Sequence, residues 1–190
     1  MPDNATPADG IPRLGIDELD PKLAGFLKPT VERLGYLGEF FQTVGHVPEA
    51  VLQFMEYTKS VKTPLTDAEN EVLALAVCSA LGGDYERIQH ERLSSRLGFG
   101  NDWIASASGR PGSDASQLMP GESLLRTLAL AVVSRGGNRC AFEVAAVSDM
   151  LGPQKTIAAL LQITRFTTIS QICNTLGLSV PVKSVFDEEE

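Results

Sequence analysis

The pentapeptide LALAV occurs twice, at 73–77 and 128–132. Each copy is followed by a glycine pair, at 82–83 and 136–137, and then by a Leu-Gly, at 97–98 and 151–152. Three ordered landmarks at nearly constant offset mark a duplicated helical hairpin, with repeats at about 65–98 and 121–152. The two copies differ by one residue just ahead of the glycine pair. Strand-like alternation is essentially missing along the chain, so the expected fold class is all-α.

The rest of the chain fits around these hairpins. Residues 1–20, broken by Pro2, Pro7 and Pro12, read as an irregular arm. From Lys22 the pattern turns helical, with Pro29 expected to start a second helix and Pro48 suited to a first helical turn. Thr66 or Asp67 can cap the helix that carries VLALAVCSAL, which is apolar all round and therefore expected to be buried on most sides. Gly82-Gly83 ends it and Asp84 can cap the next. RPGSDASQLMPGE is a polar linker, and Gly152-Pro153 is a break in the second hairpin region. The principal domain is expected over 21–180, followed by an acidic tail at 181–190 whose closing DEEE is expected to be solvated.

A net charge of −8 offers no basic stripe to phosphates, which argues against nucleic acid. No stretch approaches the ~20 apolar residues of a membrane helix, and the N-terminus has no basic start or apolar run of a secretory signal. Cys78, Cys140 and Cys173 are odd in number and widely spaced, a pattern suited to buried thiols in a reducing cytoplasm. With His46 and His90 the only histidines and no ligand spacing, no metal is expected. His46, just ahead of a helix, reads as a cap or surface contact.

The helix over DYERIQHERLSSR poses the functional question. At about 100° per residue, Glu86, His90, Leu93 and Leu97 share one stripe, which the leucines mark as inward-facing. Arg87, Glu91, Ser94 and Ser95 fall elsewhere. Counted from the glycine pairs, the second hairpin has Cys140 opposite Glu86 and Val144 opposite His90, so the scaffold itself requires neither a carboxylate nor an imidazole there. Carboxylate and imidazole at i,i+4 in a partly dry site equip general acid–base catalysis near neutral pH. A satisfied Glu–His pair at a subunit interface would look the same in sequence.

LTDAENEVLALAVCSALGGDYERIQHERLSSRLGF, residues 65–99, resembles the hairpin of the carboxymuconolactone decarboxylase and alkylhydroperoxidase-D (AhpD-like) family, with weaker likeness over about 25–180. The resemblance implies an AhpD-like helical fold, assembly as a homotrimer or hexamer, and a site at the hairpin near subunit contacts. The family's peroxidase branch carries Glu, CxxC, then His. Here the two cysteine places are Gly83 and Glu86, which removes the dithiol that disulfide-linked peroxide reduction requires. The decarboxylase branch, with Glu-x-x-x-His, is matched by Glu86 and His90. By that resemblance the protein is a cytoplasmic, cofactor-independent lyase or isomerase acting on a small carboxylated lactone or related organic acid. His90 would donate the proton, Glu86 would orient the imidazole, and Glu71 would be the third polar member. Glu71 lies about eleven residues before the glycine turn and His90 about seven after it, a mismatch of ~6 Å along antiparallel helices. Contact therefore requires long side chains, a water or a neighbouring subunit. An acidic residue near a helix start is the other reading of Glu71. Arg87 and Arg92 are the nearest candidates to hold a substrate carboxylate, with Arg13 and Arg110 more distant, and Trp103 is a candidate wall. A non-catalytic oligomer that binds a small ligand is the alternative from another class.

Overall fold

The computed structural model describes residues 7 and 9–187. Eight α-helices follow one another: α1 Pro21–Leu34, α2 Glu39–Val44, α3 Pro48–Lys62, α4 Asp67–Ala80, α5 Asp84–Arg96, α6 Asn101–Ser108, α7 Pro120–Arg135 and α8 Ala141–Thr175. A short 3-10 turn, Ala115–Gln117, lies between α6 and α7, and no strand occurs among the described residues. None of these helices is long and apolar enough to cross a membrane.

The chain divides into two compact units, one up to Tyr57 and one from Thr58 onward. In the first, Leu19, Leu23, Leu27 and Val51 form a core against which Leu14 and Ile16 pack. The expected N-terminal arm is therefore anchored from Leu14 onward, where its backbone N–H also donates to the carbonyl of Gln42 at 3.0 Å; residues 1–6 and 8 lie outside the described residues. Pro29 does not start a new helix but sits within α1. Both Pro29 and Gly25, whose carbonyl loses its partner one turn back, are exposed, so water can replace the missing bond.

The second unit is built around α4, whose residues Glu69 to Cys78 are all buried. Its start is fixed by a capping box: Thr66 Oγ1 accepts from the Glu69 N–H while Glu69 accepts from the Thr66 N–H. The Lys155 ammonium closes on the same Glu69 carboxylate at 2.7 Å. Both LALAV segments contribute to one core, where Leu73, Leu75, Leu128 and Ala129 are inaccessible to solvent. α8 is broken at Gly152, whose φ of 81° and ψ of 164° are closed to other residues, and Pro153 restarts the helix as its first residue.

Part of the acidic tail segment packs against the second unit, while Asp187 is exposed. Ser184 is buried, Val185 and Phe186 pack on the core, and Arg110 stacks its guanidinium on the Phe186 ring at 4.0 Å. The last three acidic residues, 188–190, lie outside the described residues.

Candidate functional site

His90 stands at the centre of a sheltered polar cluster. Its Nδ1–H donates to Glu71 Oε2 at 2.8 Å, and its Nε2 lies 3.8 Å from Glu86 Oε2. Side-chain exposure is 16% for His90, 11% for Glu86 and 3% for Glu71, so none of the three points freely into solvent. Ser94 donates a second, longer bond to Glu71 Oε2, 3.4 Å. The register mismatch expected between α4 and α5 is thus bridged directly by the two side chains. Glu71 is a buried residue in the second turn of α4 rather than an exposed residue of its first turn. It, and not Glu86, holds the imidazole, and a carboxylate acceptor on Nδ1 leaves Nε2 as the nitrogen free to exchange a proton.

Burial by itself opposes protonation of His90. Glu71, by charge and hydrogen bond, and Glu86, by charge, together outweigh it, while Arg165 opposes them. The outcome is an imidazole held above its ordinary value. The opposite wall is Phe166 of α8, whose ring meets the imidazole edge-on with centroids 5.0 Å apart.

The inward face of α5 is not the stripe its leucines suggest. Tyr85, Glu86, Glu91 and Ser94 are buried, Leu93 is half-buried, and Leu97 is exposed. Leu97 already caps the helix, so projecting helical periodicity onto it misplaces the stripe by overrunning the last turn. Glu91 can be fully buried because Arg87 donates to one oxygen and Ser184 to the other, each at 2.5 Å.

The sequence candidates for a substrate cation have partners of their own. Arg87 is ion-paired with Asp84 and Glu91, Arg92 donates to the Lys183 carbonyl, and Arg110 covers Phe186. Arg13 is paired with Asp9 and Glu39 in the first unit. Trp103 stacks on Phe99 at 4.2 Å and donates its indole N–H to Glu122. His46 makes a surface contact with the Pro12 carbonyl. The residue that sequence reasoning missed is Arg165, nearly buried, which places its guanidinium 3.8 Å over the other partner surface of His90's wall, the Phe166 ring. It sits 75 positions from His90 on a different helix, with no motif to connect them.

The second hairpin admits two registers. The loop between α4 and α5 is Leu81–Gly83, whereas that between α7 and α8 is Gly136–Cys140, two residues longer. Counted from the helix starts, Glu86 falls opposite Glu143 and His90 opposite Val147; counted back from Leu97-Gly98 and Leu151-Gly152, they fall opposite Cys140 and Val144. Counted from LALAV, Glu71 corresponds to Arg126. In either register the second copy has a valine where His90 stands, and it has an arginine where Glu71 stands.

The cysteines offer no thiol chemistry at this site. All three are free and buried. Burial, then the charge of Glu86, pushes the Cys78 thiol far above its ordinary value, and its Sγ accepts from Ser170 at 3.6 Å. Among the described residues no group of three or more His, Cys, Asp or Glu is placed to hold a metal ion.

No protein-family model matches the chain, and no curated protein matches it. Solved structures do. One is an AhpD-core protein of Ralstonia eutropha described as an uncharacterized peroxidase-related protein, which superposes with a TM-score of 0.76 at 16% identity over 88% of this chain and 90% of that one. Another is the debrominase Bmp8 in complex with 2,3,4-tribromopyrrole, with a TM-score of 0.71 at 15% identity over 86% and 90%. Apo Bmp8 gives 0.72 at 15% identity over 85% and 87%. With TM-scores of 0.71–0.76 over 85–88% of the chain and only helices and turns among the described residues, this protein has the all-α AhpD-like fold.

Proposed function

We propose that the protein is an acid–base enzyme acting on a small carboxylated lactone or related organic acid, by decarboxylation or the proton transfer that accompanies it. The observation that carries this reading is the Glu71–His90 pair: a buried carboxylate fixes one imidazole nitrogen, keeps the ring prone to protonation, and leaves Nε2 to act. The neighbours in fold are a peroxidase-related protein and a debrominase, and one was solved with a small ring compound bound. A fold shared at this distance does not carry chemistry with it. Buried thiols weigh against a thiol route in this chain, and the sheltered, carboxylate-held imidazole favours a proton route.

In the proposed reaction the substrate carboxylate departs as CO₂ and leaves its electron pair on the ring carbon as an enolate. The Nε2–H of the imidazolium delivers a proton to that carbon, and solvent returns one to Nε2. Glu71 holds Nδ1–H throughout and stabilises the positive ring, while Glu86 favours the protonated form from the other side.

The test is CO₂ release from a panel of carboxylated lactones by purified protein. His90→Ala should lower the rate by roughly 10²–10⁴-fold, the usual contribution of a general acid, and Glu71→Gln should lower it with a changed pH profile. Turnover unchanged in both variants overturns the mechanism. Binding of the lactones without turnover at any pH makes the protein a ligand binder instead.

A further inference from the structure

We propose that Arg165 is a positioning residue for His90: its guanidinium, docked on Phe166 and held by Gln162, seats the ring that supports the imidazole and offsets the two carboxylates around it. The inference deepens the acid–base reading but is tested without substrate.

The contacts run in one line through the second unit. At the start of α4 the Asn70 side-chain amide donates to the Thr66 carbonyl at 2.9 Å, and its Oδ1 accepts from Gln162 Nε2 at 2.6 Å. Gln162 Oε1 in turn accepts from Arg165 Nε at 2.7 Å. With both ends of its amide engaged, Gln162 fixes the plane of the guanidinium, which lies 3.8 Å over Phe166. Phe166 then meets His90 edge-on at 5.0 Å. Asn70, Gln162, Arg165 and Phe166 are all buried, so the imidazole rests on a support anchored at the capped end of α4.

Charge gives that support a second role. The charged groups that act on His90 are Glu71 from α4, Glu86 from α5 and Arg165 from α8, and the Cys78 thiol of α4 lies in the field of the same three. Cys78 is neutral. Two carboxylates and an imidazolium alone would leave the cluster with a net negative charge, which repels an anionic substrate. Arg165 brings the cluster to neutrality. Through the shared Phe166 ring the guanidinium and imidazole lie within about 9 Å of each other, a distance at which buried charges are little screened. The same cation keeps His90 from becoming too weak an acid to release its proton, since it opposes the carboxylates' pull.

The experiment is a ¹⁵N NMR titration of the histidine rings in the full chain, with His46 as an internal control because its contacts lie in the other unit. Arg165→Met should raise the His90 midpoint by about one pH unit, as expected for loss of a unit charge at such a distance with an effective dielectric near 20, and leave His46 in place. Arg165→Lys should restore the His90 midpoint most of the way. A midpoint that stays put in Arg165→Met, or that moves equally in the Lys and Met variants, overturns the charge role. If Arg165→Met does not fold, Phe166→Leu tests the seating: above its midpoint, His90 should lose its fixed Nδ1–H pattern and average both tautomers. A wild-type pattern in that variant overturns the seating. Neither outcome depends on whether the lactone panel is turned over.

Discussion

Glu71→Gln keeps the shape of the buried partner of His90 and removes only its charge. Glu71 is 3% exposed and accepts the imidazole N–H at 2.8 Å. A hydrogen bond to an ionised partner is worth about 1.5–3 kcal/mol, and about 1.4 kcal/mol corresponds to one pH unit, so the His90 midpoint should fall by more than one unit. The sign of the stability effect follows. In the native protein the imidazole titrates above its unfolded value of 6.5, so the stability it contributes is complete below about pH 6.5 and is lost as pH rises through the folded midpoint. In the variant, burial outweighs the remaining carboxylate, the folded midpoint drops below the unfolded one, and stability instead rises with pH across that interval. The penalty of the substitution is therefore larger near pH 6 than near pH 8, by about 1–2 kcal/mol. Urea unfolding of both proteins at the two pH values measures it. Staying below about pH 8.5 keeps out a separate loss, because the Cys78 thiol held protonated by burial ionises first in the unfolded chain. An equal penalty at both pH values would refute the claim that Glu71 acts through its charge on His90.

Two further outcomes are expected. Arg87→Ala should cost about 3–5 kcal/mol in urea unfolding, because it strands the fully buried Glu91 carboxylate with Ser184 alone; a loss under about 1 kcal/mol would mean that Glu91 is not held as a charge. Cys78 should resist a thiol reagent in the folded protein and react on unfolding, and Cys78→Ala should leave lactone turnover within about twofold; rapid labelling of native Cys78 would reopen thiol chemistry.

The all-helical class, the buried run in α4 and an N-cap at Thr66 or Asp67 were legible because each is written in local sequence; that Thr66 is the cap, and that Glu69 closes a box on it, came from the structure. Glu86 and His90 were legible for the same reason, being one turn apart on one helix. The role of Glu71 was not, since counting residues along two antiparallel helices measures axial offset and ignores the reach of a glutamate and an imidazole toward each other. The face of α5 was misread because its buried side is polar. Glu91 and Ser94 are satisfied inside by partners on α4 and at Ser184, and no rule of apolar periodicity anticipates that. Arg165 was invisible because its importance comes from the helix after the Gly152 break packing back on α5 through Phe166. Of the arginines near His90 in sequence, Arg87 neutralises Asp84 and Glu91 and Arg92 donates to the Lys183 carbonyl.

The bond from Ser184 to Glu91 spans 93 positions and sets an order of events. While the polypeptide is being synthesised, the helix bearing the imidazole emerges long before the serine that completes its neighbour's hydration-free nest. Until then Glu91 has only Arg87 on one oxygen, and water must serve the other. Closure of this region thus waits on the segment around Ser184, and a clipped product ending before Ser184 would carry a wet, loosened α5 and a core without Val185 and Phe186.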